Sequence, residues 1–328
     1  MDISDELYGE YEIEEVLTAL IYSKEVQRLK DIHMIGPSYL LNPVWNETRY
    51  EHSVGVMLLV RKLGGSVEEQ IAGLLHDISH TIFSHVIDLV MDKQQEDYHE
   101  EIKQTYLSES SIPDILSSYG YNYEKILLDD CQWTRLEQAA PLLCADRIDY
   151  TLREVYRYFK TDLNEIHDFL SEIVFLEGKI VLKSVSAGEW FVKQYYKIVL
   201  DLFYDPLNMY GYEIMGRLLS YALEQGCLST EDLMKTETEV LNKLKALGDP
   251  KLDELFCLFY TRVAFKLVDE NEPFDIFQKK KLRLIDPLVA VEGDIVYTSA
   301  CSIDAKRRTA EAKKKSDKGV YLLVTKPS

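Results

Sequence analysis

HDISHTIFSH, residues 76–85, holds three of the chain's seven histidines and an aspartate within ten positions. Imidazole is costly to bury unless each ring finds a polar partner, so the fold has to bring partners to this stretch. Just upstream, Ser66-Val67-Glu68-Glu69 has the form of a capping box. With the apolar residues Val67, Ile71, Leu74 and Leu75 it predicts a helix from Ser66 that delivers His76 and Asp77 near its end. His80 follows at i+4 from His76 and i+3 from Asp77, nearly the same side if the helix continues. A preceding helix is expected from about Arg49 to Leu63, stopped by Gly64-Gly65, with His52 in register with Val56, Leu59 and Leu63. Two antiparallel helices joined by that short turn would set His52 beside His76 and Asp77. Thr81 to Met91 reads as a further helix.

Five of the seven histidines (His52, His76, His80, His85 and His99) fall within 48 residues of a 328-residue chain. Neutral imidazoles with a carboxylate, and positions left for water and substrate, are what a divalent metal requires. A fourth ligand has to come from elsewhere. Asp146 is the best candidate, because it shares a helix face with Leu142, Leu143, Asp149, Tyr150 and Arg153. A salt bridge from Asp146 to Arg147 or Arg153 is the competing reading.

The whole chain sets bounds. A net charge of −19 repels nucleic-acid backbone and favours solubility. No apolar run approaches the roughly 18 residues that span a bilayer, and the acidic start MDISDELYGEYEIEE does not read as a signal peptide. Cysteines 131, 144, 227, 257 and 301 lack C-x-x-C spacing and read as buried thiols in a reducing compartment, with the cytoplasm as default. Residues 1–11 read as an acidic lead-in, and Ile13 to His33 as amphipathic helix. Thr134 to Glu137 is a capping-box candidate for the helix carrying CADRIDYTLREVYRYF, with Pro141 kinking or restarting it. FLEGKIVL (175–182) reads as a hairpin turning at Glu177-Gly178, and 188–267 as helical. After Pro273, KLRLIDPLVAV, DIVYTSACSI and GVYLLVT read as strands. The basic segment 306–318 reads as a phosphate or nucleic-acid contact, as an intersubunit bridge to the acidic body, or as a solvated, mobile loop. The expected division is a helical body over 1–272 and a small β-containing appendage over 273–328.

An isolated His, then His-Asp, then a distant Asp resembles the HD superfamily of metal-dependent phosphohydrolases. TRYEHSVGV (48–56), AGLLHDISHTIFSHVID (72–88), YHE (98–100) and ADRIDY (145–150) are similar to its deoxynucleoside triphosphate triphosphohydrolase branch, over roughly residues 25–155. The resemblance implies a mostly α fold, an HD-domain helical bundle with a small C-terminal α+β appendage, commonly in a homo-oligomer. It implies that His52, His76, Asp77 and Asp146 bind a divalent metal (Mn, Fe, Ni, Co, Zn or Mg). His80, Asp88 and His99 match catalytic positions; Arg49, His85, Arg147, Tyr150 and Tyr212 match substrate-binding ones. A carboxylate such as Asp88 would hold a histidine protonated for the leaving oxygen.

Several positions depart from that pattern. Ser79 and Ile82 stand where the family has glycine and proline, and Met34-Ile35-Gly36 stands where it has Gln-Leu-Gly. Tyr204 and Asn208 stand near an expected arginine and histidine, which leaves a triphosphate pocket short of positive charge. The expected activity is metal-dependent hydrolysis of nucleotides, first (deoxy)nucleoside triphosphates to nucleoside and tripolyphosphate. A phosphomonoesterase of nucleotides or other small phosphoesters is the first alternative, and a nucleotide sensor with little turnover the second. The partner in each case is a small molecule, with neither membrane nor nucleic acid.

Overall fold

The structure, a computed structural model, describes residues 1–93, 97–129, 132–279 and 283–326. Cys131 and the first two residues of KLRLIDPLVAV lie outside the described residues. The start of the chain is a hairpin, not a lead-in: β1 (Asp2–Asp5) pairs antiparallel with β2 (Gly9–Glu12). Asp5 makes the turn by accepting from the backbone N–H groups of Leu7 and Tyr8, which sinks both side chains into the core. The helix expected over 13–33 is broken into α1 (Glu15–Ile21) and α2 (Lys24–Arg28). Ser23 causes the break: its hydroxyl donates back to the Leu20 carbonyl and accepts from Val26 N–H as the new N-cap.

The helical pair at the centre matches the expectation. α3 (Arg49–Lys62) starts at a reciprocal capping box between Thr48 and Glu51, and α4 (Val67–Leu75) starts at Ser66, whose Oγ accepts from Glu69 N–H at 3.2 Å. The two pack closely, and α3 is buried from His52 to Val60. The expected helix over 81–91 is largely absent; only α5 (Val86–Val90) forms. Arg28 takes the Ile78 and His80 carbonyls, and Phe83 and Ser84 both adopt left-handed backbone (φ 56° and 52°). Helical hydrogen bonding therefore cannot begin before Val86.

Next come α6 (Tyr98–Ser108), α7 (Ile112–Ser118), α8 (Tyr123–Leu127) and α9 (Ala145–Phe159). Thr134 to Glu137 caps no helix; it forms a turn in which Glu137 N–H donates to Trp133 O, and α9 starts only at Ala145. α9 crosses α3 at Gly55, where a Cβ would lie 1.9 Å from Arg153 Nη2 and 2.1 Å from Asp149 Oδ1. Only glycine permits that approach.

α10 (Leu163–Ser171) leads to the expected hairpin, β3 (Ile173–Leu176) and β4 (Lys179–Leu182), turning at Glu177-Gly178 with positive φ at both residues. α11 (Val185–Tyr196), α12 (Pro206–Glu224), α13 (Glu237–Ala246) and α14 (Pro250–Tyr260) continue the mostly helical body. β5 (Ala264–Val268) and β6 (Ile276–Gln278) flank β9 (Val320–Thr325) in one sheet, while β7 (Leu288–Val291) adds parallel to β4 and carries β8 (Asp294–Tyr297). Within DIVYTSACSI only DIVY is strand; TSAC is the helical turn α15 (Thr298–Cys301). The basic segment is no loop but part of α16 (Ile303–Lys318). Ala305, Ala312 and Ser316 bury one side of it, and Asp304–Arg308 and Arg307–Glu311 pairs at i, i+4 line the other. Cys144 is buried as expected, whereas Cys257 and Cys301 are exposed. No helix among the described residues is long and apolar enough to cross a membrane.

Candidate metal centre and active site

α3, the C-terminal end of α4 and the first turn of α9 meet at one point. His52 Nε2 lies 3.0 Å from Asp146 Oδ1 and 3.3 Å from His76 Nε2; His76 Nε2 lies 3.7 Å from Asp146 and 3.5 Å from Asp77 Oδ1. The competing salt bridge for Asp146 does not form. Arg153 turns to Asp149 and Asp5, and Arg147 to the Leu142 and Gln138 carbonyls and to Glu137.

The donor set fits a divalent cation. His76 Nδ1 donates to the Gly73 carbonyl at 2.8 Å, so the neutral ring carries its lone pair on Nε2. His52 Nδ1 donates to Asp149 Oδ2 at 2.8 Å, which turns its Nε2 to the same point. Ligand atoms about 2.0–2.2 Å from one ion sit roughly 3–3.5 Å apart; His52, His76 and Asp146 come together at 3.0–3.7 Å, and Asp77 groups with His80 and His99 beside them. Burial opposes a proton on His52, but Asp146 and Asp149 lift its pKa to about 10, so the carboxylates that would offset a metal's charge also hold a proton. Burial likewise opposes ionisation of Asp77, yet Arg49, His76 and His80 hold its carboxyl well below the usual range.

Beside this point the other histidines form a second group. His80 stacks on His99 with ring centroids 3.8 Å apart, and His80 Nε2 lies 3.3 Å from Asp77 Oδ1. Burial, with Arg49 and His99 nearby, pushes His80 well below the ordinary histidine value; burial and His85 push His99 down to about 3. Both rings are therefore neutral at neutral pH. Asp88 engages neither: its Oδ2 accepts from His85 Nδ1 at 2.9 Å and its Oδ1 from Tyr98 N–H at 3.0 Å. Of the residues singled out in the sequence, all but His76 and Asp88 line one cavity of about 580 Å³; those two stand behind it.

The HD domain family matches residues 49–153. The metal-dependent phosphohydrolase cns2 of Cordyceps militaris is 32% identical over 301 residues, spanning 89% of this chain and 86% of its own. The chain belongs to the HD-domain metal-dependent phosphohydrolases. An uncharacterized Bacillus subtilis protein, YdhJ, is 48% identical over 326 residues, covering 99% of this HD phosphohydrolase and all of that chain. The deoxynucleoside triphosphate triphosphohydrolase SAMHD1 of Xenopus laevis is 35% identical, but over only 100 residues, 26% of this chain and 16% of its own. A phosphohydrolase structure from Bacteroides thetaiotaomicron shares the fold over the full length of both chains (TM-score 0.68, 17% identity).

Spacing could not show how this HD phosphohydrolase holds its candidate ligands. Asp149, fully buried, accepts from Tyr8 Oη at 2.7 Å, from Arg153 Nε and from His52; Arg153 in turn reaches Asp5 at 2.7 Å. The N-terminal hairpin thus braces His52, a candidate ligand, from 44 positions away. Tyr8→Phe is expected to cost about 1.5–3 kcal/mol of stability, as for a lost hydrogen bond to a buried charge. It should also weaken metal binding by roughly tenfold. Thermal melts and metal titration check the two effects separately, and unchanged metal affinity would confine Tyr8 to folding.

The cavity wall also contains residues the sequence did not flag: Phe203, Glu154 and Arg283. Glu154 is 2% exposed, and burial pushes its carboxyl up to about 8. An acid on the buried face of α9 was a signal available in the sequence. Tyr212 Oη comes within 3.1 Å of where a Cβ on Gly36 would stand, and Gly36 has φ +63°, so that turn excludes other residues.

Proposed function

We propose that this HD phosphohydrolase hydrolyses phosphate monoesters of nucleoside size, releasing orthophosphate. The carrying observation is the charge of the cavity wall. Among the described residues its cations are Arg49, Arg147 and Arg283, of which Arg49 pairs with Asp77 and Arg147 with Glu137; Asp97 and Glu100 add negative charge. Such a wall balances a phosphate dianion better than the roughly four charges of a triphosphate. A volume of about 580 Å³ suits one nucleotide.

A divalent ion bound by His52, His76, Asp77 and Asp146 would supply Lewis-acid activation of the phosphoryl group and of the attacking water. Arg49, fixed by Asp77 and by Ser84 Oγ at 2.8 Å, would hold a phosphoryl oxygen in line. With His85 Nδ1 donating to Asp88, Nε2 is the nitrogen left for the leaving oxygen, and the doubly protonated ring, its charge offset by Asp88, would give its proton from there. Neutral His80 and His99 would orient the phosphoryl group and carry no charge of their own.

The local likeness to SAMHD1 supports a second reading, hydrolysis of (deoxy)nucleoside triphosphates to tripolyphosphate. Phosphorus NMR of products from Mn-loaded protein with mono-, di- and triphosphates of ribo- and deoxynucleosides separates the two. Orthophosphate from monophosphates is the expected result. Tripolyphosphate would replace this reading with the second, and no product from any nucleotide would remove both.

A further inference from the structure

We infer that Arg283, from the segment leading into β7, is a substrate-binding residue that grips the phosphoryl group at the Phe203 side of the cavity. The inference rests on the reading of this cavity as the phosphoester site and adds a residue from outside the matched HD region.

Arg283 lines the same cavity as His52, Asp77 and His85. Its guanidinium carbon lies 5.8 Å from the centre of the Phe203 ring, and its charge acts on Tyr150, Glu154 and Tyr195 across the wall. Phe203 and Tyr204 open the stretch to Asn208 in which no lysine or arginine occurs. That side of the cavity would lack a cation if only its own element supplied it. Arg283 brings one there from 80 positions later in the chain.

Its platform is rigid. Ile285 is fully buried and its N–H donates to Tyr196 Oη at 3.4 Å; Asp286 N–H donates to the Pro141 carbonyl at 2.9 Å. The Asp286 carboxylate accepts from Ser299 N–H and Oγ, and the Pro287 carbonyl accepts from Thr298 Oγ1 at 2.7 Å. A planar guanidinium fork held on such a base can bind two phosphate oxygens at once.

The test measures inorganic phosphate binding to the metal-loaded full chain by calorimetry, for the wild type, Arg283→Ala and Arg283→Lys. KM and kcat are measured on whichever nucleotide the wild type turns over. Arg283→Ala should weaken phosphate by about tenfold or more and raise KM more than it lowers kcat. Arg283→Lys should recover part of the loss, with metal content and melting temperature unchanged in both. Wild-type affinity in Arg283→Ala overturns the inference. So does a phosphate loss that tracks a loss of metal and of melting temperature in both variants, the pattern of a structural role. A wild type that binds no phosphate removes the phosphoester reading of the cavity, and this role with it.

Discussion

Asp77→Ala is expected to yield a protein that retains no divalent ion and turns over at least ~10³-fold more slowly, since metal stabilisation of phosphoryl charge is worth several kcal/mol. Asp77 lies at the crossing of both histidine groups: its Oδ1 is 3.5 Å from His76 Nε2 and 3.3 Å from His80 Nε2, and its Oδ2 is 3.9 Å from His52 Nε2 and pairs with Arg49. Removing the carboxylate leaves Arg49, 3% exposed, as a buried cation without its partner. Breaking such a pair costs about 3–5 kcal/mol, so the variant should also melt earlier. The double variant Asp77→Ala/Arg49→Met separates the two consequences: stability should return while metal content and turnover stay low. Elemental analysis, melting curves and turnover read all three. A single variant that keeps its metal and stays within tenfold of the wild-type rate would mean that the ion, if bound, is held elsewhere.

The site divides into a part the sequence could specify and a part it could not. His52, His76 and Asp77 were legible because local signals placed them: a cap at Thr48, a cap at Ser66 and a two-glycine turn fix two short helices side by side. Asp146 was legible as a carboxylate on a helix face shared with Asp149, Tyr150 and Arg153, although its partner had to come from the fold. The path of residues 76–85 was not legible. Helical spacing is satisfied there, but Arg28 from α2 takes two carbonyls, and Glu237 from α13 accepts from Phe83 N–H at 3.0 Å. Such tertiary competition for backbone groups leaves no periodic trace. Tyr8 and Arg283 were missed for a related reason. Each reaches the centre from a segment whose composition reads as surface or strand, and only the packing of the hairpin β1–β2 and of the segment before β7 brings them in. The pairing of Asp88 with His85 was present in the sequence as an i, i+3 spacing; roles drawn from resemblance grouped Asp88 with His80 and His99 instead.

That pairing carries the second large effect. If His85 delivers the proton to the leaving oxygen, His85→Gln should lower kcat by about 10²–10⁴-fold on a nucleoside monophosphate, the usual contribution of a positioned general acid. It should lower it far less on p-nitrophenyl phosphate, whose leaving group departs without a proton. Asp88→Asn should fall between, because the amide keeps the contact to Tyr98 N–H but no longer fixes the His85 tautomer by accepting as a carboxylate. His80→Gln and His99→Gln provide the contrast. Burial, with Arg49 beside His80 and His85 beside His99, keeps both rings neutral, so neither holds a proton to give at neutral pH. Their losses should be the same for both leaving groups. Metal content should stay at the wild-type level in His85→Gln, since His85 lies outside the group formed by His52, His76 and Asp146. A His85→Gln loss equally large on both esters would assign this ring to phosphate binding and leave the leaving-group proton to solvent.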